Sequence, residues 1–337
     1  MKKRVSVLFT TMMVILTVGC SRNLSATGTV FAMDTAMTLT LYGKQATAAF
    51  TACETEIYRL EQLFSVTNMD SELSQINQSS EQTIAISEDT AAVIKAAIEI
   101  YTETDGAFDI TIAPVVEAWG FYTKDYHRPS DAVLTELLKS VDGGRIELTD
   151  SEIKLGRKQK IDLGAIAKGY LSDCIKSILD DYDIHSAVIS LGGSVLTLGM
   201  KPDKTLWNVG LEDPLKQHLI VGVLNIIDCS VVTSGSYERF YTEDGINYHH
   251  IFDPVTGYPA VSDLLSVTVI MPSATTADGY STALFIMGKD RAIEFWRNHG
   301  EFDMILITET KEVLVSQGIT ECFSLVDQTG YILNRIE

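Results

Sequence analysis

The sequence predicts an α+β fold. Segments with the two-residue periodicity of strands and segments with the 3.6-residue periodicity of helices are interspersed from residue 37 onwards. They do not follow the regular strand–helix–strand order of a doubly wound parallel sheet. The chain has 337 residues, of which 46% are hydrophobic and 21% charged, so it can bury a large core. We therefore expect mixed sheets with flanking helices, in one unit of one or two lobes.

The individual elements follow from these patterns in chain order. Residues 37–43 alternate and are β-branched, which predicts a strand, and apolar residues at helical spacing in 45–64 predict an amphipathic helix. The other predicted helices cover 89–104, 131–140, 170–181, 275–287 and 291–299. The other predicted strands cover 187–199, 219–228 and 264–272, with hairpins at 146–155 and 304–318.

The first twenty residues are typical of a bacterial lipoprotein signal. Three basic residues at positions 2–4 precede an apolar stretch at 5–18 that is too short to span a bilayer. Cys20 follows a glycine, as the lipidated cysteine does in such signals, although Thr17 stands where they usually have Leu. A plain signal peptide or a retained anchor is the alternative.

This signal defines the predicted organisation of the chain. Residues 1–20 form the signal, with Cys20 lipidated, and residues 21–28 form a short tether. The main domain covers 29–337. We expect the protein to be exported and held by its lipid at the periplasmic or extracellular face of a bacterial membrane.

Charge and cysteine content limit the possible partners. The formal net charge of −19 argues against a nucleic-acid partner, because phosphate backbones are bound by clustered Lys and Arg. The cysteines after Cys20 show no CxxC pairing and lie singly in apolar or amphipathic segments, namely Cys53, Cys174, Cys229 and Cys322. They do not predict a zinc site, and we interpret them as buried free thiols.

The segment IDLGAIAKGYLSD, residues 161–173, combines two glycines with a lysine ahead of a predicted helix. Such a combination can hold a phosphate, contribute to a metal site, or join a strand to a helix. A P-loop requires GxxxxGK followed by Ser or Thr, whereas here Lys168 precedes the second glycine and Tyr170 follows it. The spacing therefore argues against a P-loop.

The segment TADGYSTALFIMG, residues 276–288, places oxygen ligands on one face of a predicted helix. Asp278, Ser281 and Thr282 lie at i, i+3 and i+4. Oxygen-only ligands suit a hard cation such as Mg²⁺. An alternative of equal weight is that Asp278 caps a helix whose other face is core.

Further segments carry turn signals or aromatic residues. GAFDITIAPVVEAWGF (106–121) suggests a buried loop and helix with aromatic surface, and Gly192-Gly193 ends a strand so that its backbone can approach a ligand. YHHIFDPVTGYP (248–259) contains a hairpin turn. Because adjacent strand residues face opposite ways, at most one of His249 and His250 can point into a site.

Taken together and in order, these segments resemble the ApbE family, the FAD:protein FMN transferases. The resemblance extends from FAMDTAMTL near residue 31 to ALFIMG near residue 288. Between them lie SELSQIN, GAFDITIAP with WGF, IDLGAIAKGYLSD, SLGGSVLTLG, WNVGLEDP, TSGSYERF and HHIFDPVTGYPA. Each motif alone is weak, but the series is specific.

The resemblance implies an exported, Mg²⁺-dependent enzyme that cleaves FAD, attaches FMN to a Thr or Ser hydroxyl of a partner protein and releases AMP. Typical acceptors are flavoprotein subunits of membrane electron-transfer complexes with a Ser/Thr-Gly-Ala-Thr-like sequence. By position, the carbonyl of Ala165 would join Asp278 and Thr282 around Mg²⁺, with Ser281 assisting. FAD would be bound by Met33, Thr67 (where the family often has Tyr), Ala107, Phe108, Asp109, Asp162, Lys168, His250 and Ile251.

The implied mechanism is a phosphoryl-type transfer at the diphosphate, in which His250 or a metal-site carboxylate such as Asp278 takes the proton of the acceptor hydroxyl. Two other functions are open at this point. One is a pyrophosphatase that releases free FMN and AMP, and the other is a lipid-anchored flavin-binding protein without turnover. The second would need the flavin pocket but no metal ligands.

Overall fold

The structure is a computed structural model that describes residues 24–216 and 218–337. The predicted signal and Cys20 lie outside the described residues. In the part of the chain that is described, no helix is both long and apolar enough to cross a membrane.

Strands occur along the whole of the described chain. In order they are β1 (Ser25–Ala32), β2 (Thr35–Tyr42), β3 (Thr83–Ala85), β4 (Glu147–Leu148), β5 (Glu152–Lys154), β6 (Ser186–Ser190), β7 (Ser194–Leu198), β8 (Trp207–Glu212), β9 (Ile220–Ile226), β10 (Ser230–Gly235), β11 (Phe240–Glu243), β12 (Ile246–His249), β13 (Leu264–Met271), β14 (Asp303–Thr308), β15 (Glu312–Ser316), β16 (Phe323–Leu325) and β17 (Ile332–Ile336).

The helices interrupt this series of strands. They are α1 (Ala46–Phe64), α2 (Glu72–Gln78), α3 (Glu88–Glu103), α4 (Ala113–Ala118), α5 (Asp131–Leu138), α6 (Ala167–Asp181), α7 (Ala274–Met287) and α8 (Lys289–His299), with short 3₁₀ helices at Ile110–Ile112, Gly143–Arg145 and Gln317–Ile319. Serine side chains cap several of them, as at Ser273, whose Oγ accepts from the N–H of Thr276 at the start of α7.

A nine-stranded sheet organises the molecule. Its order is β1-β2-β6-β7-β10-β13-β14-β15-β17, and its pairs are antiparallel except β15 with β17. Three smaller sheets contain β16-β9-β8, β3-β5-β4 and β11-β12. Strands joined mainly by hairpins, with helices inserted between them, give the mixed α+β architecture that the sequence predicts.

The large sheet is buried on both faces over its central strands. On β13, Val267 and Val269 belong to the main core that α1, α6 and α7 cover, whereas Ile270 belongs to a second core. On β14, Leu306 and Ile307 separate between the two cores in the same way. Because alternate side chains of a strand face opposite ways, the small sheet β16-β9-β8 packs on the face opposite the helices.

The predicted tether is wrong at its C-terminal end. Residues 25–28 are not an extended linker but the first half of β1, which pairs with β2 in continuous register from Ser25–Tyr42 to Ala32–Thr35. A two-residue turn, Met33-Asp34, joins the strands with φ of 49° and 59°. Such turns usually contain Asn-Gly or Asp-Gly, so the sequence offers no turn signal here.

The helix predictions are confirmed with small shifts of their ends, and the thiols remain unpaired. The helix predicted at 170–181 begins at Ala167, and the helix predicted at 275–287 begins at Ala274. The strand region predicted at 187–199 is a hairpin, β6 and β7, that turns at Gly192-Gly193 with φ of 66° and 90°. Cys53, Cys174, Cys229 and Cys322 are free cysteines, of which Cys53 is buried and the others are half-buried.

Candidate active site

One cavity of about 910 Å³ collects the segments that the sequence analysis singled out. Its walls come from the β1–β2 turn, the loop after α1, the 3₁₀ helix at Ile110–Ile112, the start of α6, the β6–β7 turn, β10 and α7. The predicted site residues on these walls are Met33, Thr67, Ala107, Phe108, Asp109, Asp162, Ala165, Lys168, His250, Ile251, Asp278 and Thr282. The fold therefore brings together residues that lie up to 249 positions apart in the chain.

A single hydrogen bond connects the two segments predicted to hold a metal. The backbone N–H of Gly169 donates to Oδ2 of Asp278 at 2.9 Å. Gly169 lies in the first turn of α6, where backbone N–H groups have no partner within the helix, and Ala165 precedes the helix. Among the described residues no backbone N–H bonds the Ala165 carbonyl. The Ala165 oxygen and the other oxygen of Asp278 are therefore available to a ligand in the cavity.

The contact between α6 and α7 requires glycine at position 169. A Cβ built there would lie 2.3 Å from the carbonyl oxygen of Ala274 and 2.8 Å from Cβ of Asp278. Asp173, one turn later in α6, accepts from the N–H groups of Ala274 and Thr275 at 3.0 and 2.9 Å. These bonds fix the first turn of α7 and, with it, the position of Asp278.

Ser281 does not lie on the cavity wall. Its side chain is fully buried, and its hydroxyl donates to the backbone carbonyl of Asp278 at 2.9 Å. The spacing of Ser281 from Asp278 is helical, as predicted, but its hydroxyl bonds back to its own helix. Its assistance at the metal stays a prediction.

Ser234, on β10, is a cavity residue that the sequence analysis did not identify. Its Oγ lies 2.7 Å from Oγ of Ser281 and 3.2 Å from Oγ1 of Thr282. It is buried and therefore links the hydroxyl of Thr282 to a fixed network behind the cavity. The only signal was its place in the TSGS motif, which the sequence alone could not orient.

Asp162 is held on both oxygens. Its Oδ1 accepts from the N–H of Gly164 at 2.7 Å, and its Oδ2 accepts from the hydroxyl of Tyr122 at 2.7 Å. Burial, together with the charge of Asp162, raises the pKa of Tyr122 well above its usual value, so this hydroxyl stays protonated and donates. Tyr122, also missed from sequence, fixes the loop that precedes Ala165.

Asp109 has a structural part in the same wall. Its Oδ1 accepts from the N–H and hydroxyl of Thr111 at 2.8 and 2.6 Å, and its Oδ2 accepts from the N–H of Gly143 at 3.1 Å. Burial raises its pKa against the lowering effect of these bonds. Because both oxygens are bonded within the protein, the carboxylate shapes the Ala107–Asp109 turn.

The Met33 and Thr67 segments form another part of the rim. The N–H of Met33 donates to Oε1 of Glu61 at 2.7 Å, which ties the β1–β2 turn to α1. Thr67 is exposed in the loop after α1, and its N–H donates to Oγ of Ser65 at 3.3 Å. Thr67 is exposed and Met33 half-buried, whereas Asp278 is buried, so the two residues lie closer to solvent than Asp278 does.

Of the two adjacent histidines only His250 lines the cavity, as expected, although β12 ends at His249 and His250 lies outside the strand. The ring of His249 packs edge-on against Phe285, with centroids 5.6 Å apart, and its Nε2 lies 3.1 Å from the carbonyl oxygen of Ala260. His250 lines the cavity, and its Nδ1 lies 3.1 Å from the carbonyl oxygen of Arg239. A carbonyl only accepts, so Nδ1 carries the proton and Nε2 holds the lone pair.

His250 is uncharged at neutral pH. Burial lowers its pKa to about 3, and the nearby guanidinium of Arg239 acts in the same direction. Burial also lowers the pKa of His249. His250 therefore presents a neutral imidazole with an acceptor nitrogen to the cavity.

Charged groups of both signs surround the cavity. Lys168, Arg239 and Glu238 all line it, together with Asp278. Glu238 keeps an exposed surface, but desolvation by the groups around it raises its pKa to about 7; Lys168 lowers it, and Asp278 raises it further. Glu238 and Arg239 are further residues that sequence reasoning missed. Lys168 and Arg239 would attract a bound polyphosphate, whereas the carboxylates would repel it. A bound metal ion would have to compensate for this negative charge.

Comparisons with known proteins identify one family. The sequence profile described as the ApbE family matches residues 33–306. A FAD:protein FMN transferase from Treponema pallidum is 32% identical over 320 residues, which cover 88% of this chain and 87% of that protein. Another from Klebsiella pneumoniae is 32% identical over 280 residues, which cover 82% and 86%.

Solved structures give the same result for the fold. The crystal structure of the ApbE protein from Thermotoga maritima superposes with a TM-score of 0.83 at 31% identity, covering 89% of this chain and 99% of that one. The flavin transferase ApbE from Vibrio cholerae superposes with a TM-score of 0.81 at 26% identity, with the same coverage. These matches confirm the predicted α+β class and the predicted resemblance, and this chain belongs to the ApbE family.

Proposed function

We propose that this protein is a Mg²⁺-dependent FAD:protein FMN transferase, which attaches FMN through a phosphoester bond to a Thr or Ser of a partner flavoprotein and releases AMP. The relatives named above carry this activity in their names. The structural observation that carries the proposal is the bond from Gly169 to Asp278, because it ties Asp278 to the start of α6. There the Ala165 carbonyl, which no backbone N–H of the described residues bonds, lines the same cavity as Asp278 and Thr282.

The donor set fits Mg²⁺. A backbone carbonyl, a carboxylate and a hydroxyl are hard oxygen ligands, and a magnesium ion keeps its other positions for water and substrate phosphate. Ala165, Asp278 and Thr282 would hold the ion, and Ser234 and Gly169 would orient two of these ligands. Bound there, Mg²⁺ would neutralise charge on the diphosphate and on departing AMP.

The rest of the cavity suits FAD. A volume of about 910 Å³ is large enough for a dinucleotide-sized ligand. Lys168 and Arg239 supply positive charge for the diphosphate, and Phe108 and Ile251 supply apolar wall for the flavin. The bonds that hold Asp162 would let it keep one geometry toward a ligand.

The proton of the acceptor hydroxyl would pass to His250. As the acceptor oxygen forms its bond to the FMN phosphorus, the bond from that phosphorus to the AMP phosphate oxygen breaks and its electron pair leaves with AMP. The neutral Nε2 can accept the released proton because Nδ1 is held by the Arg239 carbonyl. Asp278 is the less suitable base, because its Oδ2 already accepts from Gly169.

We also propose that the protein is exported and lipid-anchored through Cys20, and that its acceptors are flavoprotein subunits of membrane electron-transfer complexes. The sequence of residues 1–20 supports export, and an anchor would hold the cavity near acceptors at the same membrane. Expression in a bacterial host with a radiolabelled fatty acid tests the anchor. A Cys20→Ser variant should lose the label, and equal labelling of both forms would contradict lipidation.

The decisive experiment for the activity uses the purified protein with FAD, MgCl₂ and a domain that carries a Ser/Thr-Gly-Ala-Thr-like sequence. We expect the domain to gain the mass of FMN less one water, and AMP to appear in equal amount. An unmodified acceptor, with FAD and metal bound, would contradict transfer. AMP release at the same rate without acceptor would instead support a pyrophosphatase.

The Asp278→Ala variant separates both enzymes from a flavin-binding protein without turnover. We expect it to lose Mg²⁺-dependent FAD cleavage. Asp290→Asn, a change at an exposed carboxylate at the start of α8, serves as the control and should leave cleavage unchanged. Wild-type protein that binds FAD but never cleaves it would support the non-catalytic alternative.

A further inference from the structure

Strand β1 forms one end of the nine-stranded sheet. In residues 24–216 and 218–337, no strand pairs with the edge of β1 that faces away from β2. An end strand presents unpaired N–H and C=O groups, which can pair with an extended segment of another chain. The outer edge of β1 is therefore a candidate surface for strand pairing.

The register identifies the outward groups. The N–H of Gly43 donates to the carbonyl of Leu24 at 2.9 Å, so residues 24 and 43 form a hydrogen-bonded pair. In an antiparallel pair, bonded and non-bonded residue pairs alternate, so the bonded pairs continue at every second residue of β1 up to Ala32. The residues between them, Thr27, Thr29 and Phe31 among them, direct their N–H and C=O groups outward.

This edge lacks the usual protection against pairing. Residues 25–32 contain no charged residue and no proline, although 71 of the 337 residues carry charge. The pairing of β1 with β2 contains no register shift that would bend the strand. Natural proteins normally use charges, prolines or bulges to prevent an open edge from pairing. Because β1 has none of these features, its outer edge is able to pair with a strand of another chain.

The C-terminal end of β1 adjoins the cavity. β1 ends at Ala32, and the next three residues, Met33, Asp34 and Thr35, all line the cavity. At about 3.3 Å per residue, Thr29 lies only ~13 Å along the chain from Met33. A segment paired with β1 would therefore have residues within reach of the cavity mouth.

Three exposed apolar side chains lie close in sequence to residues that line the cavity. Phe31 is 75% exposed, Met69 is 66% exposed and Val255 is 81% exposed. They lie one or two residues from Met33, Thr67 and Pro254, which line the cavity. Large apolar side chains around a cavity mouth are typical of a surface that contacts another protein.

We propose that the outer edge of β1 is the docking site of the acceptor protein. An extended, uncharged segment of the acceptor pairs with the outward N–H and C=O groups of Thr27, Thr29 and Phe31, and its Ser or Thr hydroxyl enters the cavity beside the β1–β2 turn. This inference rests on the proposed transfer of FMN to a protein. Strand addition relies on main-chain bonds, so it accommodates acceptors whose side chains differ around the modified residue.

The test compares two variants at one position. Thr29→Pro removes an outward N–H and blocks pairing, but it breaks no main-chain bond between β1 and β2, and edge strands tolerate proline. Its side-chain bond to Thr38 on β2, at 3.3 Å, is lost in Thr29→Ala as well. Thr29→Ala removes the side chain and keeps the N–H. Each is assayed for FAD cleavage without acceptor and for the KM of the acceptor domain in transfer.

We expect Thr29→Pro to raise the acceptor KM by at least about tenfold, with FAD cleavage and thermal unfolding unchanged, as the loss of one or two main-chain bonds implies. Thr29→Ala should match the wild type in both assays. Equal acceptor KM for Thr29→Pro and wild type, with wild-type transfer intact, overturns the docking site alone. Absence of transfer by the wild type overturns the proposed function and this inference with it.

Amide hydrogen exchange gives an independent measurement on the full-length protein. The Thr29 N–H should exchange rapidly in the free enzyme and become protected when acceptor is added. Protection in the free enzyme would show that residues 1–23 or a second copy already cover the edge, and would overturn the proposal. Unchanged exchange with saturating acceptor would overturn it as well.

Discussion

Gly169 and Asp278 are 109 residues apart in the chain, yet the backbone N–H of the first donates to Oδ2 of the second at 2.9 Å. The bond satisfies a first-turn N–H of α6 that has no partner within the helix. It orients the Asp278 carboxylate close to the Ala165 carbonyl, which no backbone N–H of the described residues bonds. A short distance between α6 and α7 makes both possible.

The first prediction concerns this distance. In Gly169→Ala, the added Cβ would lie 2.3 Å from the Ala274 carbonyl, so α6 and α7 must move apart. We expect the free energy of unfolding to fall by about 1–3 kcal/mol, as for overpacked cores, and Mg²⁺-dependent FAD cleavage to fall with it. Urea unfolding and a titration with MgCl₂ measure the two effects.

Ser177→Ala is the matched control for this change, because Ser177 is exposed on the same helix. It should leave both quantities within experimental error of the wild type. A Gly169→Ala protein with wild-type stability and wild-type magnesium dependence would show that the close approach of the helices is not needed.

The second prediction concerns Ser234. Its hydroxyl lies 3.2 Å from Oγ1 of Thr282 and outside the proposed ligand set. Ser234→Ala should raise the Mg²⁺ concentration for half-maximal FAD cleavage by roughly 10–100-fold, the usual cost of losing a group that orients a metal ligand. The maximal rate at saturating Mg²⁺ should change less. If both parameters fall together at every Mg²⁺ concentration, Ser234 supports the fold instead.

The sequence was sufficient for the parts of the site that lie in contiguous motifs. Ala165, Lys168, Asp278 and Thr282 reach one cavity as the resemblance implied. Helical spacing alone could not separate Thr282 from Ser281, because both positions neighbour Asp278 on the helix surface. Which of the two residues lines the cavity depends on the side-chain conformation of Ser281, whose hydroxyl bonds to the Asp278 carbonyl. It also depends on Ser234, which lies on β10 and contacts Ser281.

The missed features share a different cause. The first half of β1 resembles a linker in sequence because its outward residues are polar and its turn, Met33-Asp34, lacks a turn signature. Tyr122 directly follows the WGF motif and Glu238 lies within TSGSYERF, but their importance comes from partners far away in sequence, Asp162 and Lys168. The sequence does not reveal such pairs, because it is the fold that brings the two partners together.

The third prediction concerns the stability contributed by neutral His250. Burial and Arg239 lower its pKa to about 3, whereas an unfolded histidine titrates near 6.5. Between these values the unfolded chain binds a proton that the folded protein does not, so stability falls as the pH falls. The slope from this residue approaches about 1.4 kcal/mol per pH unit.

Urea unfolding of His250→Gln at pH 7, 6 and 5 measures this slope. The variant should lose less stability on acidification than the wild type over that range. His127→Gln, at an exposed histidine, is the control and should keep the wild-type slope. A steeper slope in His250→Gln than in the wild type would contradict a depressed pKa.

The fourth prediction concerns FAD binding and Glu238. Desolvation by the surrounding groups raises the pKa of this partly exposed carboxyl to about 7, with Lys168 opposing the effect and Asp278 adding to it. Above that pH a negative carboxylate faces the cavity and repels the diphosphate of FAD, whereas below it the group is neutral. Since His250, with a pKa of about 3, stays uncharged over this range, it does not contribute to the pH dependence of FAD binding.

We therefore expect the Kd for FAD without metal to rise between pH 6 and pH 8. Glu238→Gln should remove this dependence and keep the tighter, low-pH Kd at every pH. Quenching of flavin fluorescence measures the Kd, and Glu309→Gln, at an exposed glutamate, should keep the wild-type profile. If Glu238→Gln instead binds FAD more weakly at every pH, the carboxylate is a direct contact of the ligand and not a source of repulsion.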